Sequence, residues 1–232
     1  MNAHSRVPAP PAPRVTLSPN IRKIVAAISF LIKEAERKGA SVTQYHIVKA
    51  LFFADREHLN RYGRPITYDN YYAMFHGPVP SLAYDLLKTR KVTLEEYGIV
   101  RLPWTKVSAE HVGSGCFHYR DAVTSDDEIM LSESDIKSLS GAIMLVLNSN
   151  FTEIRRLTHG DASYQEAWKY VSDKTGSNAM SFGLLFDKPN FAIAEEVAFK
   201  SRQAAFRKSE NDEFAPPTDL DIDSGPEDRD DY

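Results

Sequence analysis

Apolar residues Ile21, Ile24, Val25, Ile28, Leu31, Ile32 and Ala35 recur at three- and four-residue spacing, which makes one stripe along a helix. Ser18-Pro19 stands where an N-cap and a first-turn proline belong, and Gly39 stands where a helix stops. Ile47, Val48, Leu51, Phe52, Leu59 and Tyr62 predict a second helix, capped by Thr43 and ended by Gly63. Two such helices on a short link should pack as an antiparallel hairpin.

Beyond Gly63 the pattern changes. Residues 64–77 mix β-branched and aromatic side chains without helical spacing, so an extended or turn segment is expected there. Pro78, Val79 and Pro80 are read as the start of a short helix bearing Leu82, Leu86 and Leu87. Between residues 98 and 131, Ile99/Val100/Leu102, Phe117/Tyr119 and Ile129/Leu131 alternate with Gly-, Ser- and Asp-rich turns, the pattern of a small antiparallel sheet. Ser132 and Asp135 then resemble a capping box ahead of Ile136, Leu139, Ile143, Val146 and Leu147. Shorter helices are expected at 151–158 and 161–171, and a last one from Pro189 to about Ala205. The fold class is mainly α with a small antiparallel β-sheet (α+β).

Composition changes this picture at the ends. The chain has 232 residues, 42% of them hydrophobic, enough apolar side chain to exclude disorder throughout. Residues 1–18 are rich in proline and poor in bulky apolar groups, so they read as an extended, unfolded lead-in. Residues 209–232 carry ten acids and one base. They read as a solvated, mobile tail. A folded domain is therefore expected over 19–208. The formal charge of -4 conceals a body of +5 and a tail of -9, because 27 of the 28 bases and 22 of the 32 acids lie in residues 1–208.

No apolar run approaches the roughly 20 residues of a membrane span. The opening stretch lacks a secretory apolar core, and one cysteine, Cys116, fits a reducing compartment. A cytoplasmic protein is expected.

Candidate chemistry is sparse. Cys116/His118 and Asp55/His58 are the tightest pairs that a metal could use, and neither finds a third or fourth ligand nearby in the sequence. No metal and no cofactor are expected. The chain holds no G-x-S-x-G elbow and no phosphate-cradling glycine loop, and Cys116 has no defined base, so no enzymatic activity is expected. Arg37/Lys38 and Arg155/Arg156 read as helix-end cations, and no second helix-turn-helix unit supports nucleic-acid binding. The aromatic run Tyr68, Tyr71, Tyr72 and Phe75 cannot bury every ring on one side of an extended segment. Some of these rings should face outward, as at protein interfaces.

The order of these pieces resembles a known family. KALFFADREHLNRYG (49–63) followed by PITYDNYYAMFHGPVPSLAYDLLK (65–88) resembles the Panacea domain, the family that includes SocA-type antitoxins. The features are Lys49, Leu51, Phe53, Ala54, Asp55, Gly63, Pro65, Ile66, Ala73, Gly77, Pro78, Val79 and Tyr84, with Thr158-His159 and Ala167-Trp168 later. Together they bracket roughly residues 19–205. The resemblance implies a helical antitoxin that neutralises a cognate toxin by direct contact and delivers it to the AAA+ protease ClpXP. It implies no catalytic residue. Tyr71, Tyr72, Phe75, His76 and Trp168 are the expected partner-binding residues. The alternative left open is a DNA-binding regulator of its own operon.

Overall fold

The computed structural model describes residues 11–108, 117–122 and 130–213. Among these the chain forms eight α-helices and two three-stranded antiparallel sheets. Helix α1 (Ile21–Arg37) starts two residues later than expected, because Asn20 is the N-cap and its side chain accepts from the Lys23 amide. Helix α2 (Gln44–Tyr62) is capped by Thr43 in a capping box with His46, and Gly63 closes it in the left-handed conformation at φ +75°. Tyr62, assigned to its buried face, is 42% exposed.

α1 and α2 do pack together, and α5 (Glu133–Asn148) lies across both. Ser132 caps α5, and Asp135 accepts back from the Ser132 amide, the capping box expected there. Ile28, Leu31, Ile47, Leu51, Leu139 and Ile143 are all fully buried in this layer. Each such side chain stabilises the fold by about 1.5–3 kcal/mol relative to exposure.

The strands differ from expectation in two ways. β4 (Trp104–Ser108) and β5 (Phe117–Asp121) pair as the hairpin foreseen for this region, with β1 (Val42–Thr43) added on the far side of β5. Ile99, Val100 and Leu102 lie outside it, Val100 being fully exposed, and α4 (Lys91–Glu96) precedes them. Ile129 and Cys116 fall outside the described residues.

The second sheet comes from β2 (Tyr71–Met74), β3 (Gly77–Pro80) and β6 (Asn178–Ala179), in the order β3-β2-β6. Pro78 and Pro80, read as a helix start, instead belong to an edge strand, the one place in a sheet where missing amides are tolerated. Helix α3 (Ser81–Leu87) begins only after them.

α6 (Phe151–His159) and α7 (Ala162–Trp168) follow, then a 3-10 turn at Phe182–Leu184 and α8 (Phe191–Glu213). Helix α8 takes in residues 209–213, which were expected in the acidic tail; residues 214–232 lie outside the described part.

α2 is a wall shared by two cores. Most of its apolar residues join α1, α3 and α5, while Phe52 and Leu59 join Tyr71, Tyr164, Phe182 and Val197 on the other side. Residues 11–18, expected as part of an unfolded lead-in, run along this second core. Leu17 is 3% exposed and exchanges two hydrogen bonds with the Asn70 side chain. Ala12 donates to Glu166, and Pro13 accepts from Ser181. A strap without internal hydrogen bonds leaves its backbone groups free for such partners.

Candidate functional site

Three separated stretches of the chain meet at Lys49. Its stem is buried in α2, and its ammonium donates to the Pro78 carbonyl at 2.8 Å in β3. The Tyr45 ring lies 5.4 Å from the same ammonium. Gly77 stands beside it at φ +103°, and a Cβ there would sit 2.8 Å from Thr158 Oγ1 and 3.1 Å from Lys49 Nζ. Only glycine fits this close crossing of strand, α2 and α6. Burial lowers the Lys49 pKa to about 7.

Further along α2, Asp55 is handled differently. Its carboxylate accepts from the amides of Ile66 and Thr67 at 2.7 and 3.0 Å, from the Thr67 hydroxyl, and from Tyr71 Oη at 2.8 Å. Burial raises its pKa, and these donors oppose the rise. Asp69 accepts from the amides of Leu82 and Ala83, which ties the start of α3 to the same turn. Burial pushes the Asp69 carboxyl up to about 6. Between the two anchors Tyr68 is held at φ +57°, a region that costs a bulky residue about 1 kcal/mol or more.

His58 is fully buried. Its Nδ1 donates to the Arg64 carbonyl at 2.7 Å, and its Nε2 lies 3.0 Å from Ser134 Oγ and 3.2 Å from Asp135. Asp55 and His58, the pair weighed for a metal, are thus each engaged in separate structural contacts. Among the described residues no group of three or more His, Cys, Asp or Glu side chains could hold a metal.

Above Lys49 the β2–β3 turn carries Phe75 and His76 to the surface. Phe75 lies 6.3 Å from Trp168, and Trp168 stacks on Tyr164 with centroids 5.9 Å apart and planes 9° from parallel. Tyr164 Oη donates to the Met74 carbonyl at 3.0 Å and so pins α7 to the hairpin. His76 meets Phe151 at 5.8 Å, and Phe151, 48% exposed, meets Tyr45 at 5.1 Å. Arg155 of α6 and Lys174 each place their charge 5.2 Å from the Phe75 ring centroid. Burial, followed by the charge of Arg155, lowers the His159 pKa to about 4.

Of the five residues expected to contact a partner, the fold therefore joins Phe75, His76 and Trp168 in one patch. Tyr72 is on the outer side of the same hairpin and 37% exposed. Tyr71 points inward, 6% exposed, against Phe52 and Asp55, and has a structural role instead. Alternation along β2 separates these two neighbours. Phe151 and Lys174 were not foreseen, and Arg155 was read only as a helix-end cation. No local signal links them: Arg155 and Lys174 meet Phe75 from about 80 to 100 positions away, and Phe151 meets His76 from a similar distance along the chain.

The cations beside Tyr62 are paired with acids. Arg64 meets Asp135 at 3.1 Å, and Arg61 meets Glu57 at 3.8 Å. Among the described residues no helix is long and apolar enough to cross a membrane.

The site is thus an interlocked α+β scaffold presenting aromatic and cationic side chains, built almost wholly from α2 through α7. A family model described as Antitoxin SocA-like, Panacea domain, matches residues 47–169, more than half of the chain, and the chain belongs to that family. The match begins within α2 and ends beside Trp168, so it contains Lys49, Asp55, Gly77, Thr158 and Phe75 and leaves α1 and α8 outside. No curated protein and no solved structure matches the chain.

Proposed function

We propose that this protein is an antitoxin that binds its cognate toxin directly and delivers it to the AAA+ protease ClpXP. Membership of the antitoxin family carries the first half of this reading. The surface supports it: Phe75, His76, Phe151 and Trp168 form a patch of aromatic side chains held rigid from below by Lys49, Thr158 and Tyr164. Rigid aromatic anchors with an arginine beside them are the composition of interface hot spots. Tyr72, Phe75, His76 and Trp168 are the proposed toxin contacts, and Tyr71 supports the hairpin that presents them.

Delivery requires a second contact, with the protease. Residues 214–232 carry seven acids and one base, a composition suited to a solvated tether that raises the local concentration of cargo. The experiment is co-expression with the product of the adjacent open reading frame, followed by its half-life in cells with and without ClpXP. Rapid loss of that product only when both antitoxin and protease are present is the expected result. A half-life unchanged by the antitoxin, with toxicity still relieved, would make the protein a simple inhibitor. Relief of toxicity by promoter repression alone would favour a DNA-binding regulator.

A further inference from the structure

Arg155 and Lys174 share one aromatic ring, and no carboxylate among the described residues pairs with either. The acids nearest in sequence are engaged elsewhere. Asp173 folds back on Thr175 and Gly176, Glu166 meets Arg14, and Asp161 meets Arg56 and caps α7. Glu153, two residues before Arg155 on α6, lies on a different side of that helix. Lys49 lies beneath the turn, and its one hydrogen-bond acceptor among the described residues is a neutral carbonyl. Two buried polar atoms in the same cluster, Tyr45 Oη and His159 Nε2, have no hydrogen-bond partner among the described residues. Among the described residues the patch thus gathers two cations and apolar surface without a paired acid.

We propose that Arg155 and Lys174, gathered on Phe75, form a receptor for an aspartate or glutamate side chain that stands beside an apolar residue on a protein partner. The carboxylate meets the two cations, and its apolar neighbour meets the half-exposed Phe151 and the edge of Trp168. Arginine presents a planar fork that matches a carboxylate, and the aromatic ring below holds it in place. A nucleic-acid partner fits less well: Trp168 already stacks on Tyr164 and Phe75 carries the cations, so the rings are poorly placed as a platform for bases. This deepens the antitoxin reading by assigning the chemistry of the contact, and peptides test it independently of any toxin.

The test selects peptides from a random phage-displayed library on the full-length protein and measures the binding of the synthetic consensus. Selected peptides should carry Asp or Glu next to Leu, Phe or Trp. Their affinity should fall by about tenfold or more with R155E/K174E, and also when the peptide acid is replaced by its amide. R155Q/K174Q should weaken binding without introducing repulsion. K88E/K91E, an equal charge change around α3 and α4, should bind as the parent does. Consensus peptides without acids, or equal binding by R155E/K174E, would overturn the proposal. Displacement of the peptide by inorganic phosphate or a single-stranded oligonucleotide better than by an unlabelled acidic peptide would overturn the choice of a carboxylate. Should R155E/K174E lose the peptide yet still neutralise the toxin, the receptor stands and the toxin contact lies elsewhere.

Discussion

Lys49 and Asp55 lie on the same helix with 1% and 3% exposure, yet the fold treats these two charges in opposite ways. Asp55 receives four donors from Ile66, Thr67 and Tyr71, so its charge is fully engaged by the protein. Lys49 is given one carbonyl and the face of one ring, and no acid pairs with it among the described residues. A buried charge surrounded by donors acts as a structural rivet. A buried cation short of partners gives up its proton more readily, and Lys49 does so beneath the Phe75 patch.

The largest expected effect is on the rivet. Asp55→Ala strands four buried donors and should lower unfolding free energy by about 3 kcal/mol or more, as read by urea denaturation. A loss well below that would mean the donors find other partners and the two charges are less different than their geometry shows. Next comes Gly77→Ala, which forces an L residue to φ +103° and a methyl onto Thr158 Oγ1. It should cost about 2 kcal/mol. Adding Thr158→Ala should recover the steric part but not the backbone strain, and strict additivity of the two would show that no contact exists there.

Lys49 can be isolated by pH. Its pKa falls to about 7 in the folded protein from the ordinary lysine value of 10.5. The unfolded chain therefore holds the proton more tightly between those values. Stability should rise with pH across that window, by at most about 1.4 kcal/mol per pH unit. Among the groups facing it, burial lowers the pKa of His76, lowers that of His159 to about 4 and raises that of Tyr45 to about 12. Lys49→Met should flatten the rise; an unchanged pH profile would show that Lys49 is not its source. The smallest effect is predicted for R155E/K174E, whose stability should stay within about 0.5 kcal/mol of the parent while peptide binding is lost. A large drop in stability would make these cations structural, like Asp55, and erase the contrast.

Much of the scaffold was legible because its signals are local. The Thr43 and Ser132 caps, the stops at Gly39 and Gly63, and the apolar stripes of α1, α2 and α5 all read correctly within a few residues. The Lys49-to-Asp55 and Gly77-Pro78-Val79 segments were legible as a family pattern, but not as contacts. The β3 strand was misread because proline at a helix start and proline on a sheet edge look alike until the edge is known. The strap at residues 11–18 was missed for a related reason: its proline-rich composition describes a chain with no structure of its own, and its partners Asn70, Glu166 and Ser181 are remote.

By itself the sequence determined the caps and stops of α1, α2 and α5 to within a few residues, the split between a basic body and an acidic tail, and the family to which the chain belongs. These depend on neighbours within a turn or two, on composition, or on the order of motifs. Only the tertiary structure decided that Tyr71 faces in and Tyr72 out. It alone brought Thr158 onto Gly77, and it alone set Arg155 and Lys174 on one ring with no acid paired to them among the described residues. Side-chain partners are chosen by packing between positions as far as about a hundred residues apart, and a charge is paired or left in reserve only once every competing group has found its place.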